Sequence, residues 1–156
     1  MGPHAEKDMR EPTPQEIQLK RLMQVWMILF GIGTLTFFLA GNWLIATGNA
    51  FSADILHWDL PPMPPAAHGF WLTLTTSMMA TITVISYWVQ KDVVQNARLT
   101  FFILVSKLTS TLVFLFFFFW DTPYFNYLLG SLFSDGPIYI VTLIFYKRAL
   151  RSVPST

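Results

Sequence analysis

Four long apolar stretches alternate with short polar connections, at about residues 22–47, 69–89, 99–120 and 126–146. Each holds roughly 20 residues or a little more, and at ~1.5 Å per residue that matches a ~30 Å hydrocarbon core. Hydroxyl and small residues recur within them at helical spacing. In the second stretch Thr73, Thr76, Ser77, Ala80, Thr83 and Tyr87 share a face. In the third Thr100, Lys107, Ser110, Thr111 and Phe114 do, and in the fourth Leu128, Ser131, Asp135, Ile138 and Thr142. In a bilayer the apolar face of a helix meets lipid, so hydroxyl faces meet other helices. The pattern predicts contacts among the second, third and fourth spans, with Thr76, Thr83, Ser110, Thr111, Ser131 and Thr142 buried. The first span carries Thr34, Thr36 and Asn42 on no single stripe and is expected at the periphery.

The predicted fold is an all-α integral membrane protein with four transmembrane helices in an antiparallel bundle. Residues 1–21 read as a polar tail ending in a helix start, 22–147 as the transmembrane domain, and 148–156 as a second tail. The first dozen residues have no apolar core to order them. Thr13-Pro14-Gln15-Glu16 has the form of a capping box, with proline at the first helical position. The first apolar stretch is too long for the core of a secretory signal, and no small-residue cleavage site follows. Glu6 stands where a myristoylation pattern wants Ser or Thr. Phe116 to Phe119 reads as lipid-facing filler, and the halves of the chain show no inverted repeat.

Tryptophans mark the limits of the spans. Trp26 and Trp43 are 17 residues apart, as are Trp71 and Trp88. Seventeen helical residues cover ~26 Å, close to the separation of the two interfacial belts. Trp120 closes the third span and Trp58 lies in the connection before the second, so all six Trp are expected at an interface.

Composition agrees. The 156 residues are 53% hydrophobic and 12% charged, against roughly 25% charged in a soluble domain. That excludes an ordinary soluble globule, a disordered chain and a nucleic-acid binder. Zero cysteines exclude disulfides, thiol redox chemistry and thiolate metal sites. The net charge of +1 hides a strong asymmetry. Lys7, Arg10, Lys20 and Arg21 precede the first span, Lys91 and Arg98 join the second to the third, and Lys147, Arg148 and Arg151 follow the fourth. The connections 48–68 and 121–125 carry no basic residue. This bias places both termini in the cytoplasm, across a plasma (inner) membrane.

Two ionisable side chains fall inside spans. Lys107 lies ~12 Å and Asp135 ~17 Å from the cytoplasmic ends of their helices, and each costs about 2.5–3.5 kcal/mol to insert. A lysine stem bridges the ~5 Å difference in level. Yet side chains lean toward their own helix N-terminus, which tilts these two apart. Three arrangements follow: a direct or water-bridged pair, a snorkelling Lys107 with a protonated, hydrogen-bonded Asp135, or a working proton or cation site. Beside Asp135, Pro137 removes one helical hydrogen bond and Gly136 adds backbone freedom. A helix break is expected there, either a packing kink or part of an ion site.

In the proline-rich connection His57, Met63 and His68 are ligand types for copper or haem, but their spacing fixes no metal geometry. The sequence has no nucleophile motif, phosphate loop or clustered carboxylate pair. It calls for no metal, no cofactor and no enzymatic activity. The expected role is that of a non-enzymatic accessory or anchoring subunit. Its partners would be the lipid bilayer and other membrane subunits or further copies of itself. The alternatives are a small oligomeric transporter or proton-linked carrier using Asp135, and a quinone- or haem-associated anchor using His57 or His68. The native chain's lack of cysteine makes the topology testable. Ala5→Cys and Ser155→Cys variants should resist an impermeant thiol reagent in intact cells and react after lysis; labelling of either in intact cells rejects the orientation.

Overall fold

The computed structural model describes residues 11–66 and 69–152. The described residues are helical with no strand, and four helices are long and apolar enough to cross a membrane. α1 (Pro14–Ala50) runs on through a π-helical turn, Phe51–Ile55. After the proline-rich connection come α2 (Gly69–Lys91) and the short α3 (Val93–Asn96). A 3-10 turn, Ala97–Leu99, leads into α4 (Thr100–Trp120). α5 (Phe125–Leu128) continues through a longer π-helical segment, Leu129–Asp135, into α6 (Gly136–Arg151). Residues 1–10 of the expected tail lie outside the described residues.

α1 begins where its sequence caps it. Thr13 Oγ1 accepts from the Glu16 backbone N–H at 3.3 Å, and Glu16 Oε2 accepts from the Thr13 N–H at 2.8 Å. Two otherwise orphaned N–H groups are thereby satisfied. The helix thus starts eight residues ahead of its expected span. It bends at Ala40, whose backbone leaves helical geometry (φ −141°, ψ 28°). Gly41 follows, and a Cβ there would run into Leu72 of α2. The bend and the glycine together let the two helices meet closely.

The expected periphery of α1 is overturned. α1 is the central helix: it packs along α2, joins α6 and reaches α5. α4 packs on α5, the π-helical segment and α6, but touches α2 only lightly. The order across the bundle is therefore α2, α1, α6, α4. Glycines give α1 much of its close approach to its neighbours. Added methyls at Gly31, Gly33 and Gly48 would touch Thr83, Met79 and Asn126. Between helices in lipid there is no hydrophobic driving force, so close backbone approach supplies the packing. The α2 stripe is corrected accordingly: Thr76, Ala80 and Thr83 are half-buried, whereas Thr73, Ser77 and Tyr87 are exposed.

Trp26 joins two helices. Its indole N–H donates to Thr142 Oγ1 at 2.9 Å, and its ring meets Phe30 edge-on. It ties α1 to α6. Around it, Leu19, Met23, Ile82, Val89, Val93, Ala97, Ile103, Ile138 and Ala149 form the apolar core. That core lies toward the end of the bundle that carries the basic residues.

The opposite end is held by amides. Asn49 Nδ2 donates to the Met63 carbonyl at 2.8 Å, and its Oδ1 accepts from the Met63 N–H at 2.9 Å. Met63 is the one residue of Pro61–Pro65 with a backbone N–H to give. Asn126 donates to Asn49 Oδ1 at 2.9 Å, and Asn42 accepts from the Ala66 N–H at 2.9 Å. The stiff loop is strapped across α1.

At Gly136 and Pro137 the chain departs from regular α-helix through a π-helical turn, with helical hydrogen bonding carried on across it. The Gly136 N–H donates to the carbonyl of Ser131, five residues back. This wider turn absorbs the hydrogen bond that Pro137 cannot make. A Cβ on Gly136 would stand 2.5 Å from the Ser131 carbonyl oxygen, a backbone atom. Gly136→Ala should therefore destabilise the bundle by about 1–3 kcal/mol. Gly69→Ala, where no heavy atom lies within 4 Å, is the control. Melting in detergent reads both, and a Gly136→Ala protein that melts with the wild type rejects the wide turn.

Candidate functional site

α4 and the π-helical segment before α6 carry the two charges that lie within long apolar helices. Lys107 and Asp135 are both buried, with side chains 6% and 10% exposed. Lys107 Nζ stands 2.8 Å from Asp135 Oδ1. The other carboxylate oxygen accepts from Ser110 Oγ, one turn along α4 from Lys107. Lys107 Nζ also lies 4.6 Å from the centre of the Phe30 ring, which brings α1 into the site. A cation over an aromatic face in a desolvated place contributes about 2 kcal/mol or more. Three spans thus meet at one amine.

Sequence register accounts for the contact. Ser110 is three residues, or ~4.5 Å, further along α4 than Lys107. That is the level at which the carboxylate lies. The short Ser110 side chain reaches it directly, and the long lysine stem reaches along the helix to the same group. Leaning of Cβ away from the partner is overcome by four flexible methylenes.

The remaining hydroxyls behave differently from a set of bridges between helices. Thr111 Oγ1 donates to the Lys107 carbonyl at 2.7 Å, Thr83 Oγ1 to Met79 at 2.9 Å and Ser131 Oγ to Leu128 at 3.3 Å. These bonds close within their own helices, as Ser and Thr do when they bond back one turn. Thr76 Oγ1 is buried without a partner. Only Ser110 and Thr142 of the six expected hydroxyls bond another helix. Thr83 lies on α2 against Gly31 of α1, and Thr76 is half-buried on the same helix.

Gly136 and Pro137 follow Asp135 directly, so the wide turn sets where the carboxylate points. Asn42, Asn49 and Asn126 were not singled out by the sequence pattern. The sole N–H of the Pro61–Pro65 run was the available signal that some amide must receive it. His57 is exposed with a left-handed backbone, φ 54°. His68 lies outside the described residues. Among the described residues no three His, Asp or Glu side chains gather to hold a metal ion.

Chemically, the site can neutralise two charges inside an apolar bundle and fix α4 against α6. Removing one partner strands the other, at a cost of about 3–5 kcal/mol. Asp135→Asn and Lys107→Met should each lower the melting temperature in detergent or nanodiscs. The double variant should recover much of the loss, because no charge is left unpaired. Strict additivity of the two single effects rejects the pair as a structural unit. Compared with protein-family models, curated proteins and solved structures, the chain matches none of them.

Proposed function

We propose that the chain is a four-span protein of the plasma (inner) membrane, an antiparallel bundle with both termini in the cytoplasm. In this reading it serves as a non-enzymatic accessory or anchoring subunit of a larger membrane assembly. One observation carries the role: both oxygens of the intramembrane carboxylate are engaged by Lys107 and Ser110 of the same chain. The charges serve the bundle itself. Thr73, Ser77 and Thr81 are exposed on α2 at intervals of one turn. Ser77 and Thr81 bond back within α2, so what this face offers a helix of another subunit is a row of small side chains that allows close approach.

A second reading has its own support. Asp135 closes a π-helical segment beside a proline, and such segments recur at functional sites. A small oligomeric carrier would use this carboxylate as its proton or cation site.

Purification of the tagged chain from its own membranes in mild detergent separates the two. The accessory role predicts stoichiometric co-purifying membrane subunits. It also predicts that Asp135→Asn, combined with Lys107→Met, retains them. A chain that purifies alone and moves protons across proteoliposomes only while Asp135 is present overturns the accessory role in favour of the carrier.

A further inference from the structure

A shallow groove of about 230 Å³ lies between α1 and α6 at the basic end of the bundle. Gln18, Arg21, Leu22 and Val25 of α1 and Phe145 of α6 line it. The four α1 residues stand at i, i+3, i+4 and i+7 and so share one helix face. Leu22, Val25 and Phe145 make its floor apolar. Gln18 and Arg21 sit at the end nearer the start of α1.

The register of the two helices is fixed by two contacts, Thr13 to Ser152 and Trp26 to Thr142. It sets Phe145 across from Leu22. Arg148, one turn further on the same face of α6, comes close to the level of Gln18. Arg21 and Arg148 are both exposed, and neither makes an ion pair among the described residues. The acid closest in sequence, Glu16, is buried in the helix cap. The groove is thus apolar toward the middle of the helices, with Arg21 on its lining and the exposed Arg148 one helical turn beyond Phe145.

We propose that this groove binds one anionic phospholipid. An acyl chain lies along Leu22, Val25 and Phe145, and Arg21 and Arg148 hold the phosphate. The inference rests on the membrane-spanning reading, which puts this end of the bundle at a headgroup layer. Guanidinium groups suit the task because their planar fork binds phosphate oxygens in pairs. Their stems can lie on the apolar floor while the heads stay at the polar level. A neutral apolar molecule would leave both arginines unmatched. A free anion would leave the apolar floor unfilled.

The test uses the full chain, first incorporated into nanodiscs of mixed phosphatidylglycerol and phosphatidylcholine, then released for native mass spectrometry. The wild type should retain phosphatidylglycerol over phosphatidylcholine by roughly tenfold. The Arg21→Gln/Arg148→Gln protein should lose that preference, while Arg98→Gln, at an exposed arginine elsewhere, should keep it. Val25→Trp, which fills the groove, should lower retention of both lipids. Equal retention by the wild type, or an equal loss in Arg98→Gln, overturns the site. Displacement of the lipid by inorganic phosphate at matched ionic strength also overturns it, leaving a simple anion site. A chain that enters nanodiscs without lipid preference rejects the groove alone. A chain that fails to enter them rejects the membrane reading and the groove together.

Discussion

An amine and a carboxylate that both stay charged among apolar helices must neutralise each other. In hydrocarbon no water is present to solvate either group, and every polar atom must be met from within the protein. Lys107 and Asp135 meet this demand across two helices, and the surrounding structure is arranged to keep them together. Ser110 fills the second carboxylate oxygen, and Phe30 of α1 covers the amine. The Leu129–Asp135 segment takes the wide turn that delivers Asp135 to α4, and Gly136 makes that turn sterically feasible.

The two ends of the bundle are closed by different physics. At the basic end, an apolar core and the Trp26–Thr142 hydrogen bond join α1 to α6. At the other end Phe125 is buried against Phe51 and Trp58, and Asn49 and Asn126 join α1 to the start of the last span. Asn49 also receives the single N–H of a proline run that is otherwise unable to donate. A loop of this kind cannot pair with itself, so an outside amide fixes its path. The ion pair lies between these two regions.

Much of this was legible in the sequence because it depends on length, period and local chemistry. Four stretches long enough to span, and the Thr13–Glu16 cap, follow from such rules. Lys107 and Asp135 stood out because charge in an apolar helix is rare, and register arithmetic put them within a lysine's reach. The place of α1 was not legible. Hydroxyl stripes point to the interior, but Thr83, Thr111 and Ser131 spend their hydroxyls on their own helices. The contacts came instead from Gly31, Gly33, Gly41 and Gly48, whose lack of a side chain leaves no hydropathy signal. The wide turn was missed for a related reason. A proline inside a helix announces a lost hydrogen bond, but not whether the chain kinks or widens to absorb the loss.

A buried ion pair is better suited to fixing register than to adding net stability. Replacing a buried pair with well-packed apolar residues is often neutral or stabilising, so stability alone gives a weak reason to keep it. In lipid the need for direction is greater. Leucine and phenylalanine pack against a neighbouring helix or against acyl chains with little preference between rotations. α4 is almost wholly apolar beyond Thr111, and its exposed Phe116, Phe117 and Phe119 would accept many orientations. Lys107 and Ser110 allow only one, because both must face a single carboxylate. A shift of one residue along α4 turns that face by ~100° and carries both groups away from the carboxylate. For a pair of this kind the penalty for a wrong register outweighs the reward for the right one.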